Sequence, residues 1–286
     1  METRRLAELV ASAEKPTTPV LALPPLLFLD EIEHLFAPKD LDAALAALQP
    51  AIDHPLVLAY LQWKRAQIAA NTGDVDNEAE ILRQLGFLTQ WHLVGPFPNE
   101  GMSGYDTPFA PELSIDTAAT VSGGRFDDLQ WLPYRSVGRV AYLRLSSVIA
   151  PTTDAVTYLA TVVESPRKQN AVLRLSVDGA YKAWLNQDLV ALQQNDYGGT
   201  IDRDAFPIAL QAGPNLLLIK IANTSGYAGA YVRLTTPEHR PLPLPHGNIL
   251  PATDTAARHL PSQSLPSLVD ELLAYVESPP PNAEPK

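Results

Sequence analysis

The segment QQNDYGGTIDRD (Gln193–Asp204) gathers amides, carboxylates, a guanidinium and a phenol in one short stretch. Its candidate binding residues are Asn195, Asp196, Tyr197, Asp202 and Arg203, followed by Asp204. An aromatic face beside hydrogen-bonding groups is what a sugar ring needs, because stacking holds the ring and polar groups orient it. The same oxygens could ligate Ca²⁺, which takes about six to eight of them. The plainer reading is a solvated loop, since connecting segments are polar by default. Tyr227, in NTSGYAGAY, is a second loop aromatic that could share this surface. Asn223-Thr224-Ser225 fits the glycosylation acceptor pattern, a short match that arises often by chance.

Catalytic chemistry finds little purchase. Ser103 lies in GMSGYD, which lacks the nucleophile-elbow pattern. The histidines at 34, 54, 92, 239, 246 and 259 show no metal-ligand spacing. No glycine-rich phosphate loop is present and no carboxylate pair stands out as acid and base. The chain has no cysteine, which excludes disulfides, thiolate catalysis and thiolate metal sites. The expectation is a protein that is not an enzyme and has no cofactor. Trp184, Trp91 and Trp131 could be binding platforms, but their apolar surroundings favour core positions.

The formal charge of −11 argues against nucleic acid. No basic amphipathic helix suggests a membrane surface and no apolar run reaches spanning length. The beginning, METRRLAELVASAEKPTTPV, carries acids and lacks a long apolar core, so it does not read as a signal peptide. Compartment and oligomeric state are not legible.

The elements that would position these residues divide the chain into a helical lead-in (1–86), a β-sandwich (87–236) and a proline-rich extension with one helix and a disordered tail (237–286). In DLDAALAALQP, Leu41, Ala44, Leu45 and Leu48 share a helical face. In DHPLVLAYLQWKRAQIAANTGD, Pro55 suits a first turn and Gly73 a C-cap, with Leu58, Leu61, Arg65 and Ile68 on one face. DNEAEILRQLG offers Asn77 and Glu80 as a capping box and Gly86 as a stop. These make a helical hairpin of the kind found in helical-repeat proteins, with Leu58, Leu61 and Ile68 against Ile81 and Leu85. Prolines in the first 25 residues and in 237–266 suggest extended connectors.

After Gly86 the hydrophobic period changes to two. Strands are expected at FLTQWHLVGPF, Val140–Ile149, Ala155–Ser165, Ala171–Gly179, Ala180–Leu192, Ala205–Asn223 and Gly229–Pro237, with tight turns at DGA and NQD. Leu173, Leu175 and Val177 should face inward, as should Leu217, Ile219 and Ile221. Pro96 should stop the Trp91–Val94 strand or place it at an edge. Phe97 and Phe109 would then return over an open end of the sandwich, with Asn99–Asp106 capping it. SLPSLVDELLAYVES (Ser264–Ser278) reads as an amphipathic helix.

The order Asp178-Gly179, Trp184-Leu185-Asn186, Leu210-Gln211-Ala212-Gly213-Pro214-Asn215, Leu216–Ile221 and Arg233-Leu234 resembles the galactose-binding-like jelly-roll domains of large bacterial multidomain proteins. The element from Trp91 to Glu112 looks like the opening of the same domain. Such proteins also carry helical repeats and transglutaminase-like modules. The resemblance spans roughly 88–236 and implies an α+β chain: a helical hairpin, an antiparallel jelly-roll sandwich and a C-terminal helix. It implies a non-catalytic module recognising a glycan or a protein surface. A scaffold that only orients neighbouring domains is the rival reading, and a glycoside hydrolase the weakest.

Overall fold

The computed structural model describes residues 19–136, 140–194, 200–247, 253–254 and 264–278. The lead-in folds as α1 (Leu23–Ile32), α2 (Pro38–Leu48), α3 (Pro55–Thr72) and α4 (Val75–Gln84). Proline stands at the first or second position of three of these four helices. Pro24 and Pro25 lie in the first turn of α1, where a missing N–H costs nothing, so they do not make the extended connector expected there. Gly73 caps α3 at φ +79°, donating to the carbonyls of Ala69 and Ala70. At α4 the capping box is not formed. Asp74 is the N-cap, accepting from the Asn77 backbone N–H, and Glu80 turns outward to Arg83.

Leu41, Leu45 and Leu48 are buried as the spacing requires. On α3, Leu61 and Ile68 are buried, while Leu58 is only partly so and Arg65 reaches Asp42 at 2.7 Å. This helix is buried around most of its circumference, including Val57, Tyr60, Trp63 and Ala66. It is the central rod of the lead-in, packed by α2, α4 and the sandwich, so no single stripe describes it.

The sandwich has two antiparallel sheets. Its strands are β1 (Gln90–Pro98), β2 (Ser114–Ile115), β3 (Leu132–Arg135), β4 (Leu143–Arg144), β5 (Ala155–Ser165), β6 (Gln169–Asp178), β7 (Ala180–Leu185), β8 (Asp188–Gln193), β9 (Asp204–Leu210), β10 (Gly213–Asn223) and β11 (Gly229–Thr235). The larger sheet has the order β3-β1-β5-β10-β7-β8 and the smaller β4-β11-β6-β9. The chain crosses repeatedly between sheets, the winding of a jelly roll. Leu173, Leu175 and Val177 of β6 meet Leu217, Ile219 and Ile221 of β10 in the core between the sheets, all buried. Two short segments, β2 and β12 (Thr253–Asp254), pair separately, and α6 (Leu268–Glu277) packs against the turn at Pro19–Ala22.

Val140–Ile149 does not form the expected long strand. Val140 and Ala141 take positive φ of 53° and 63°, only β4 is extended, and Leu145–Ser147 is a helical turn. The irregularity follows from where these residues are held. Val140 donates to Glu78 Oε1 of α4, and its carbonyl accepts from the Trp63 indole of α3. The backbone here serves the lead-in instead of a ladder.

Pro96 takes the second of its two expected places, at a local edge. β1 runs on to Pro98 with a register shift against β5 between Val94 and Phe97. Pairing with β3 ends at Leu93, so Pro96 sits where no neighbour on that side asks for its N–H. Phe97 and Phe109 do meet, with ring centroids 4.8 Å apart, but they cover the outer face of the larger sheet beside Tyr158. The short α5 (Ser103–Asp106) lies over the same face.

Both outer faces are therefore covered. The lead-in lies on the smaller sheet through Phe87, Tyr231, Ala141 and Ile201. Trp63 packs edge-on against Tyr231 at 5.8 Å. The segment after β1 lies on the larger sheet, burying Trp131 and Trp184 with Tyr158 and Leu218. Trp91 is buried between the sheets, so none of these three tryptophans is a surface platform.

Candidate functional site

The β8–β9 and β10–β11 connections leave the same end of the sandwich. Gln193 pairs with Tyr181, Tyr181 with Ile221, and Gly229 with Asp178 at the β6–β7 turn. The structure thus brings Arg203, Asp204 and Tyr227 to one end. Asn195, Asp196 and Tyr197 lie outside the described residues.

Asp202 is not a surface ligand. At φ +63° it turns inward and is buried, and both its oxygens bind the Arg233 guanidinium, through Nε at 2.6 Å and through Nη2. Burial alone would raise its carboxyl, yet Arg233 and Arg174 hold it below the usual carboxylate range. A carboxylate with both oxygens so engaged is not available to Ca²⁺. Among the described residues no group of three or more His, Asp or Glu could hold a metal ion. Arg203 is committed as well, donating to Asp204 Oδ2 at 2.9 and 3.1 Å and to the Val177 carbonyl at 3.2 Å. Tyr181 donates to the same Asp204 oxygen at 2.8 Å, and burial pushes that phenol far above its ordinary range.

Tyr227 remains. It is 81% exposed, on a turn built from within. Asn223 Oδ1 accepts from Ser225 N at 2.9 Å and from Ser225 Oγ at 3.1 Å, while its Nδ2 donates to the Tyr227 carbonyl. The Asn223 side chain is buried in this role, which removes it as a glycosylation acceptor in the folded chain.

A second exposed ring belongs to the same end. Phe126 is 69% exposed at the tip of a loop closed by paired hydrogen bonds between Val121 and Leu129, both 2.8 Å. Gly124 permits the turn: a Cβ there would sit 2.1 Å from the Asp127 carbonyl oxygen. Arg125 stacks on Phe126, its guanidinium carbon 5.7 Å from the ring centre. Arg125 also donates to the carbonyls of Thr153 at 2.8 Å and Asp154 at 3.2 Å and pairs with Glu100 at 3.1 Å. Thr152, in the same turn, donates to the Gly226 carbonyl at 2.9 Å. The 152–154 turn therefore anchors the loop carrying Phe126 on one side and the loop carrying Tyr227 on the other.

Sequence reading did not single out Phe126. Its signal was present in GGRFDD, an aromatic flanked by glycines and aspartates with no apolar neighbour to pack beside. The motifs of the jelly-roll resemblance prove to be turn locks. Asn186 Nδ2 donates to Asn215 Oδ1, and Asn186 Oδ1 accepts from Leu216 N, each at 2.9 Å. Asn215 also exchanges hydrogen bonds with the Gln211 backbone at 2.8 and 2.9 Å.

No family model and no curated protein matches the sequence. Among solved structures, similar stretches occur in a β-glucosidase from Kluyveromyces marxianus in complex with glucose, at 13% identity and TM-score 0.32, over 46% of this chain and 18% of that one. The PA14 sugar-binding domain from an RTX adhesin is 16% identical at TM-score 0.29, over 52% of this chain and 90% of that one. The PA14 domain of the antifreeze protein MpAFP is 15% identical at TM-score 0.24, over 30% of this chain and 45% of that one. The chain spans less than half the length of the glucosidase and of the antifreeze domain.

Proposed function

We propose that the protein is a non-catalytic recognition module that seats a glycan on the loop end of its sandwich, with Tyr227 and Phe126 as the stacking surfaces. One observation carries the reading: the loops that carry two solvent-facing rings are tied to a single turn by hydrogen bonds, and the rings are not folded into the adjacent core. Exposed aromatics beside polar groups suit a sugar, whose ring faces are apolar and whose rim is hydroxyl. The Ser225 hydroxyl lies in the Tyr227 loop, and Glu100, from the turn after β1, meets the Phe126 loop through Arg125. Three carboxylates at this end are already engaged: Asp178 is held by Tyr142, Asp204 by Arg203 and Tyr181, and Glu100 by Arg125.

Wild type and the Tyr227→Ala, Phe126→Ala and double variants should be compared on an array of bacterial and plant glycans. A retained glycan that the double variant binds roughly tenfold more weakly or worse supports the reading. Unchanged retention by the double variant, or no retained glycan at all, overturns it. The scaffold reading has its own observation, a buried guanidinium that ties the helical lead-in to the smaller sheet: Arg233, paired with Asp202, also donates to the Leu85 carbonyl at 3.1 Å.

A further inference from the structure

Among the described residues, helix α6 is docked by one side only. Leu268 and Leu272 pack into the lead-in core, and Glu271 meets His54 at 3.1 Å. Ser267 and Asp270 form a full capping box, so the start of the helix is fixed. The apolar arc nevertheless continues past the docked side. Val269, Leu273 and Val276, spaced i, i+4, i+7, form a second stripe that is 49%, 51% and 67% exposed. A helix needing only its docked side would carry polar residues here, as the outer side of α4 does.

The charges on α6 say what kind of surface fits. Asp270, Glu271 and Glu277 are its only charged residues, and Leu268–Glu277 contains no Lys or Arg. By helical geometry Asp270 and Glu277 border the exposed stripe on one flank. A second copy of this chain, with net charge −11, would bring the same acids against them. We infer that the Val269–Leu273–Val276 stripe docks an amphipathic helix of a partner protein, with an apolar seam flanked by Lys or Arg. Docking is helix against helix: the partner's apolar side chains enter between the three aliphatic residues, and its cations face Asp270 and Glu277. The fixed capping box means that α6 pays little ordering entropy on binding.

The probe is a synthetic peptide of about five helical turns with Leu at i, i+3, i+4 and i+7 and Lys on the flanks. Its control is a peptide of identical composition permuted to destroy the seam. Fluorescence anisotropy on the full chain should show that the seamed peptide binds roughly tenfold more tightly than the permuted one. The Val269→Ser/Leu273→Ser double variant should erase that difference while its unfolding curve stays close to wild type. Glu277→Lys should weaken binding of the seamed peptide and flatten its salt dependence. Equal binding of both peptides, or binding unaffected by the double variant, overturns the inference. So does a sedimentation profile in which the wild type is a dimer and the double variant a monomer, since the stripe would then belong to a second copy.

Discussion

The outer faces of the two sheets solve one problem with different hardware. On the smaller sheet, β6 and β11 carry Arg174 and Arg233 where a solvated face would be expected, yet both are buried on the face that the lead-in covers. Arg233 is neutralised by Asp202, and Arg174 donates to Thr235 at 3.1 Å and to His239 at 2.7 Å. On the larger sheet, Lys220 of β10 is buried under an irregular loop instead. It donates to Glu112 at 2.8 Å and to the Thr107 carbonyl at 2.7 Å, and its charge faces the rings of Phe109 and Tyr158. A buried cation sits at the centre of each face, but its partner is fully enclosed in one case and partly open to water in the other. The helical layer encloses the acid that pairs with its cation, whereas the loop leaves its acid partly exposed.

Unequal costs on breaking the two pairs would sharpen that contrast. Arg233→Met should lose about 3–5 kcal/mol in chemical denaturation, because Asp202 is left charged and enclosed. Adding Asp202→Leu should recover much of the loss, since an apolar pair needs no compensation. Lys220→Met should cost less, about 1–3 kcal/mol, because water can reach Glu112. Equal losses would show that the loop seals its face as well as the helices do.

Acid should act on the helical side in two stages. His239 is depressed below its ordinary 6.5, first by burial and then by Arg174, from which it accepts a hydrogen bond. His246 is depressed by burial, and its Nε2 accepts from the Thr89 N–H at 2.9 Å. Both bind protons more readily in the unfolded chain, so the stability tied to their neutral forms is complete above 6.5 and lost as pH falls below it toward the folded values. Asp202 adds a second loss below its ordinary 3.8, continuing until its depressed folded value is passed. Thermal melts across this range should show Tm declining first near pH 6. In the Asp202→Leu/Arg233→Met background the second decline should shrink while the first remains.

The smallest effect belongs to the β7–β8 hairpin, at the edge of the loop-covered sheet. Asn186 and Gln187 both take positive φ, at 50° and 78°. This is the turn that favours Asn-Gly, and Gln187→Gly should stabilise by about 0.5 kcal/mol in the same denaturation assay. Asn186→Gly should not, because its side chain locks Asn215 and Leu216.

The legible part of this molecule is the part set by local rules. Leu173, Leu175 and Val177 announce their face because strand side chains alternate, and a slip of one residue would expose all three. Gly73 announces a helix end because its left-handed conformation is costly for other residues. The expected strand at Val140–Ile149 failed for a non-local reason: Glu78 and Trp63, distant in sequence, claim the Val140 backbone. The site was half legible. Tyr227 sits in a loop whose composition advertises exposure, whereas Phe126 shows its role only through the Arg125 contacts with the 152–154 turn.

By itself the sequence determined the two sheets, their inward residues, the helical lead-in and the turn residues that join them. Each of these follows from the period of side chains along one short segment and from the φ preferences of Gly, Pro and Asn. Tertiary structure alone decided the fate of the charged residues. Asp202 and Arg203 are adjacent and equally polar, yet one is sealed against Arg233 beneath the helices and the other clips the loop end to β6. Only the meeting of β11 with the lead-in separates them, because the cost of burying a charge depends on the partner that arrives beside it and not on its neighbours in the chain.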